Sequence, residues 1–138
     1  MSLNYASQVL YILISMKYQI ANDVKKRVKK LISQLKMTHI DKERIYCIRS
    51  FDAQTRAVAR IWGMGRLFVK VCGIRPCYII EVNARHFDKL SERNKIKTLI
   101  HELLHIPKTF SGALLSHRGR YHRINDEVIE NLLNKAKT

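Results

Sequence analysis

Ser91-Glu92-Arg93-Asn94-Lys95-Ile96-Lys97-Thr98-Leu99-Ile100-His101-Glu102-Leu103-Leu104-His105-Ile106-Pro107 is the stretch that decides how this chain folds. Ser91 is a good helix N-cap, and Glu92 suits the positive end of the helix dipole. Ile96, Leu99, Ile100, Leu103 and Leu104 recur at helical spacing and make one apolar stripe. Pro107 has no N–H to donate, so it stops the helix soon after His105. The reading is a helix with one buried face that carries His101 and His105 near its C-terminal end. Four residues apart, those histidines share a face at roughly 6 Å. Two imidazoles at that separation can hold one Zn²⁺, and Glu102 beside the first can accept a proton from a water activated there. The pattern H-E-x-x-H therefore points to metal-dependent hydrolysis, of peptide bonds above all. The plainer reading is a helix whose cationic histidines merely suit the negative end of its dipole.

Upstream, Pro76 precedes Cys77-Tyr78-Ile79-Ile80-Glu81-Val82, the strongest strand signal by β-branched and aromatic content. Phe87 and Leu90 cover the start of the site helix. Arg44–Arg49 alternates around Ile45, Cys47 and Ile48 and predicts a short strand; Ala57–Trp62 predicts another. Gly63 and Gly65 punctuate, and Leu67–Cys72 predicts a short helix closed by Gly73. Nearer the N-terminus, Asn22 and Asp23 read as N-cap and first turn of an amphipathic helix marked by Val24, Val28, Leu31, Ile32 and Leu35. After the site helix come a loop over 107–120 and a final helix from about Asn125 to Lys135. Strands, then the site helix, then a terminal helix describe an α+β fold: a small mixed or antiparallel sheet packed on the H-E-x-x-H helix, with N- and C-terminal helices.

At 138 residues the chain has the length of one domain, and 46% apolar composition is ordinary for a globular protein. The reading is a single domain over 16–138, with residues 1–15 as an N-terminal extension and Met16 as an alternative start. Val9–Met16 is apolar but far shorter than the ~20 residues a membrane span needs, and no basic segment precedes it. Cys47, Cys72 and Cys77 form no C-x-x-C pair, which argues against a disulfide framework or a cysteine metal cluster and for buried free thiols in a reducing cytoplasm. The net charge is +15, with +6 in residues 1–40, +7 in 41–100 and +2 in 101–138. A field of that size attracts polyanions such as DNA or RNA. For Lys25–Lys30 alone, a solvated helix face is the simpler reading.

A catalytic zinc takes three protein ligands and keeps one position open. His117 and His122 are the candidates for the third, with Glu127 or Glu130 on the last helix as further options. His117 is favoured because a loop residue can reach back over the helix. His122 and Tyr121 suit a hydrogen bond to a transition-state oxyanion as well as plain surface positions. Arg118 and Arg120 suit substrate carbonyl or carboxylate groups, or simply solvent.

Tyr78–Val82, Arg85–Ser91, and Ile100-His101-Glu102-Leu103-Leu104-His105-Ile106-Pro107-Lys108-Thr109-Phe110-Ser111-Gly112, with His117-Arg118-Gly119 after them, together resemble a family described as putative metallopeptidases of archaea, bacteria and phages. Arg56–Gly63 is similar to it as well, so the resemblance spans most of residues 16–125. The layout also resembles the zincin-like SprT-type proteases, in which a strand, an H-E-x-x-H helix and a later histidine build a zinc site. The resemblance implies His101, His105 and His117 as ligands and Glu102 as general base. It departs where Arg118 separates His117 from Gly119, and residues 1–15 have no counterpart in it.

The expectation is a zinc peptidase in which Glu102 takes a proton from water and passes it to the leaving amine. If the strand over Cys77–Val82 is a sheet edge, an extended peptide can pair with it. The competing class is a basic nucleic-acid-binding module with a structural or vestigial zinc site, in which Tyr46, Phe68 and Tyr78 are the aromatic candidates for base stacking. A hydrolase of non-peptide amides is a third.

Overall fold

In the computed structural model, which describes residues 4–8, 17–51, 53–120 and 122–137, strands β1 (Tyr18–Ile20), β2 (Ile45–Ser50), β3 (Ala59–Trp62) and β4 (Tyr78–Asn83) form one sheet. Their spatial order is β1, β2, β4, β3. β2 and β4 are parallel, while β1 on β2 and β3 on β4 are antiparallel. The helices are α1 (Asn22–Gln34), α2 (Arg66–Cys72), α3 (Ala84–Phe87), α4 (Glu92–Leu103) and α5 (Asp126–Ala136), with a 3-10 turn at Lys42–Arg44. The fold is mixed α+β. Among the described residues no helix is long and apolar enough to cross a membrane.

Period-two alternation divides the sheet into two faces. Ile45 and Cys47 of β2, Ile61 of β3, and Tyr78, Ile80 and Val82 of β4 point into the core. There they meet Val24, Val28, Leu31 and Ile32 of α1 and Leu99, Ile100 and Leu103 of α4. α4 lies against β3, α1 against β2, and α5 packs on α4. The stripe read from α4 is therefore its buried face, and burying each such side chain is worth about 1.5–3 kcal/mol. Arg49, at the end of β2, donates to Asp23 of α1 and to Asp88 ahead of α4, which ties three elements at one corner.

Several boundaries differ from the sequence reading by a residue or two, and the capping chemistry explains two of them. α4 starts as read, with the Ser91 hydroxyl accepting the Asn94 N–H. Asn125 lies outside α5 and caps it by accepting from Val128. α1 has Ala21 in the cap position, and Asp23 pairs with Arg49. The 3-residue β1, whose residues are all exposed, has no periodicity to announce it. Cys47 is buried, and burial pushes its thiol up to about 12, but Cys77 is only partly buried and Cys72 is exposed, so only one of the three fits the expected buried thiol. Tyr78 is wholly buried and is removed from the candidate stacking residues; Tyr46 and Phe68 are exposed. The expectation on Val9–Met16 falls outside the described residues.

The loop after α4 is anchored on the sheet through β4. The Tyr78 hydroxyl donates to the Ala113 carbonyl at 2.9 Å and accepts the Gly112 N–H at 2.8 Å. Its ring packs edge-on against Phe110 at 5.0 Å. The Met64 N–H donates to the Gly112 carbonyl, and this backbone approach is possible because residue 63 is glycine. A Cβ at Gly63 would stand 2.3 Å from the Gly112 oxygen. Gly63→Ala should therefore cost about 2–4 kcal/mol in denaturant unfolding, a large value for one methyl. An unchanged midpoint would show that the two loops can separate freely.

A histidine cluster and a buried glutamate

His101 sits in the last full turn of α4. His105 stands just past it, where the helix tightens: its N–H bonds to the Glu102 carbonyl three residues back, as Ile106 does to Leu103. The helix reads as running through His105, but Pro107 cannot extend the ladder, and shorter bonds satisfy the last carbonyls. His117 arrives from a tight turn in which Ile124 N–H bonds to the His117 carbonyl and Gly119 N–H to the His122 carbonyl. Gly119 leaves room for the His122 ring, since a Cβ there would fall 1.9 Å from it.

The three imidazoles converge. One nitrogen from each of His101, His105 and His117 lies within 4.8 Å of the others, and the Nε2 atoms of His101 and His117 are 3.0 Å apart. The Nδ1 of His105 faces the Leu115 carbonyl at 2.5 Å. A carbonyl only accepts, so Nδ1 carries the proton and the Nε2 lone pair is free. Burial lowers the pKa of His101, and the neighbouring His105 and His117 lower it further. Burial also lowers that of His105, against the opposing pull of the Leu115 carbonyl. Both shifts favour neutral rings with available lone pairs. A trio of this kind can hold a metal ion.

Glu102, next to His101, is buried, and burial raises its carboxyl to about 7, opposed by a hydrogen bond from the Ile61 N–H. That N–H is available for a simple reason. The Asn83 N–H bonds to the Val58 carbonyl, so the β3–β4 ladder uses Val58, Arg60 and Trp62 and turns the backbone groups of Ala59 and Ile61 outward. β3 is an edge strand, as is β1 at the other side, and β4 lies between β2 and β3. The expectation that an extended peptide pairs with the Cys77–Val82 strand is thus corrected, because β4 already has partners on both sides. A cleft of about 420 Å³ runs beside β3, lined by Val58, Ala59, Thr98, His101, Glu102 and Ile129.

The other candidates are placed elsewhere. The His122 Nε2 meets the Ser116 carbonyl at 2.9 Å, and His122 does not belong to the trio. Glu130 pairs with Lys97 and Arg93 of α4, and Glu127 is exposed. Arg118 and Arg120 are exposed, and Tyr121 lies outside the described residues. Sequence reasoning missed the Leu115 carbonyl and the Ile61 N–H. Both are backbone groups, so no residue type signals them.

A family model described as putative phage metallopeptidase matches residues 16–134. The chain belongs to that family. No curated protein and no solved structure matches the chain. The family's match takes in all four strands, α1 to α4, most of α5 and the whole histidine cluster.

On the far side of the sheet, Glu81 is 3% exposed and accepts from Arg60 Nε at 3.1 Å and Trp62 Nε1 at 3.0 Å. Burial alone would raise its carboxyl; the hydrogen bonds from Arg60, Trp62 and Ser50 outweigh it and leave the pKa below the ordinary 4.5. A depressed carboxylate contributes stability above its unfolded pKa and loses it as pH falls through the folded one. Glu81→Gln should thus be less stable than wild type at pH 7 by about 1–2 kcal/mol, with the gap closing below about pH 4. Urea unfolding at both pH values checks this, and a gap that does not change with pH contradicts it.

Proposed function

We propose that this chain is a zinc-dependent peptidase in which His101, His105 and His117 hold the ion and Glu102 is the general base. The observation that carries the reading is the convergence of three imidazole nitrogens within 4.8 Å, with the buried Glu102 next to His101 on the same helix and lining the same cleft. Three neutral nitrogen donors are the set used by catalytic zinc sites that keep a fourth position open. The chemistry a zinc ion supplies when bound is acidification of a water and polarisation of a carbonyl. Membership of a metallopeptidase family supports the same reading.

The rest is work for the chain's own residues. The Leu115 carbonyl fixes the tautomer and orientation of His105, which keeps its lone pair directed at the cluster. Glu102 accepts the proton of the attacking water and returns it to the departing amine. The Ile61 N–H holds the Glu102 carboxylate in place between those transfers. An extended peptide pairs with the outward backbone groups of β3, which include those of Ala59, and so lies along the cleft beside His101. Backbone pairing selects an extended conformation more than a sequence.

The test is hydrolysis of an unstructured protein substrate by the full chain. Cleavage should require zinc, stop on chelation and resume on zinc addition. Cleavage that continues in a strong chelator would remove the metal from the account.

A further inference from the structure

The core helices pack on one face of the sheet, and among the described residues the other face is exposed along the row of Tyr46, Ile79 and Trp62. Tyr46 of β2, Ile79 of β4 and Trp62 of β3 stand in one cross-strand row, since Tyr46 pairs with Ile79 and Ile79 with Trp62. Tyr46 is 45% exposed and Trp62 46%. Two strand spacings, about 10 Å, separate the two aromatics. Tyr18 adds a third exposed ring on the same face from β1. Three half-exposed aromatics grouped on one sheet face make it a candidate interaction surface.

Charge selects the ligand. Each inner ring has a cation beside it: Lys25 Nζ lies 4.9 Å from the centre of Tyr46, and the Arg60 guanidinium 4.6 Å from that of Trp62. The one acidic side chain among the strand residues of this face is Glu81, which is buried and already bonded to Arg60 and Trp62. The four strands lie within the two segments that hold +13 of the chain's +15. Planar rings with cations alongside match a polyanion that carries planar groups. A folded duplex hides its base faces, whereas a single strand offers them.

We propose that this open sheet face binds single-stranded DNA, with bases stacked on Tyr46 and Trp62 and the phosphates met by Lys25 and Arg60. The deoxy form is favoured because aliphatic Ile79 stands between the two rings, and the one carboxylate among the described strand residues of this face, Glu81, is bonded to Arg60 and Trp62 and so is not free to accept from a 2′-hydroxyl. The proposal does not depend on the histidine cluster, which lies across the core on the helical side.

Trp62 is the chain's single tryptophan, so its fluorescence reports directly from this face. The experiment titrates the full chain with a 20-nucleotide oligothymidylate (about 20 bases, enough to cover several stacking sites) at low and moderate salt. Expected are saturable quenching, affinity that falls steeply as salt rises, and affinity weakened about tenfold or more in Tyr46→Thr. Far-UV circular dichroism shows that this exposed variant is folded, and His117→Ala should bind as wild type does. Any of four results overturns the proposal: no quenching, an unaffected Tyr46→Thr, equal binding of duplex, or equal binding of the matching RNA. So does binding lost in Lys26→Gln/Lys30→Gln on α1 and retained in Tyr46→Thr, which would assign the affinity to diffuse charge. If the face serves a protein partner instead, the oligonucleotide leaves Trp62 fluorescence unchanged.

Discussion

Glu102→Gln should keep its metal and lose peptide hydrolysis by a factor of about 10²–10⁴, the usual contribution of a positioned general base. The substitution preserves the volume of a buried side chain and can still accept the Ile61 N–H through its amide oxygen. The three imidazoles are untouched, so zinc affinity should change little. Only the capacity to take up and return a proton disappears. Parallel metal analysis and turnover on the same preparation separate the effects. A variant that binds zinc and cleaves as fast as wild type would remove Glu102 from the mechanism.

His117→Ala should have the largest effect on metal binding, lowering zinc affinity by on the order of a hundredfold or more, beyond what loss of a mere supporting contact costs. His117 is exposed and reaches the cluster from a loop, so its removal leaves the core intact. The reduction should be visible as stability. Zinc that binds only the folded chain stabilises it by about 4 kcal/mol at a thousandfold excess over Kd. Wild type should therefore show a clear zinc-dependent rise in Tm, and the variant little or none. His122→Ala is the matched control, because the His122 ring bonds to the Ser116 carbonyl outside the cluster. A His122→Ala chain that loses the zinc effect while His117→Ala keeps it would reassign the third ligand.

Much of this arrangement was legible in the residues. Ser91, the apolar stripe from Ile96 to Leu104 and Pro107 are local signals, and α4 formed where they predicted it. The stripe from Val24 to Leu35 likewise gave α1, with Val24, Val28, Leu31 and Ile32 buried. What was not legible is non-local. Nothing in Tyr78–Asn83 says that it will be flanked on both sides, yet it is, so the condition that it be a sheet edge for peptide pairing is not met. Ala57–Trp62 reads as a strand and forms one over Ala59–Trp62, but nothing in its residues says that its outward Ile61 N–H will meet Glu102. The Leu115 carbonyl and the Ile61 N–H are main-chain groups whose placement depends on the whole fold. Tyr78 carried a clear strand signal, but its hydroxyl became the anchor of the 110–114 loop only once that loop folded back over the sheet.

The central claim is that three histidines bind one metal ion. Metal content per chain, measured by mass spectrometry on wild type and His117→Ala after equal exposure to zinc, tests it most directly. The account predicts about one zinc per wild-type chain, with much less retained by the variant. Wild type that holds no zinc even when zinc is supplied, or a variant that holds as much as wild type, would contradict it.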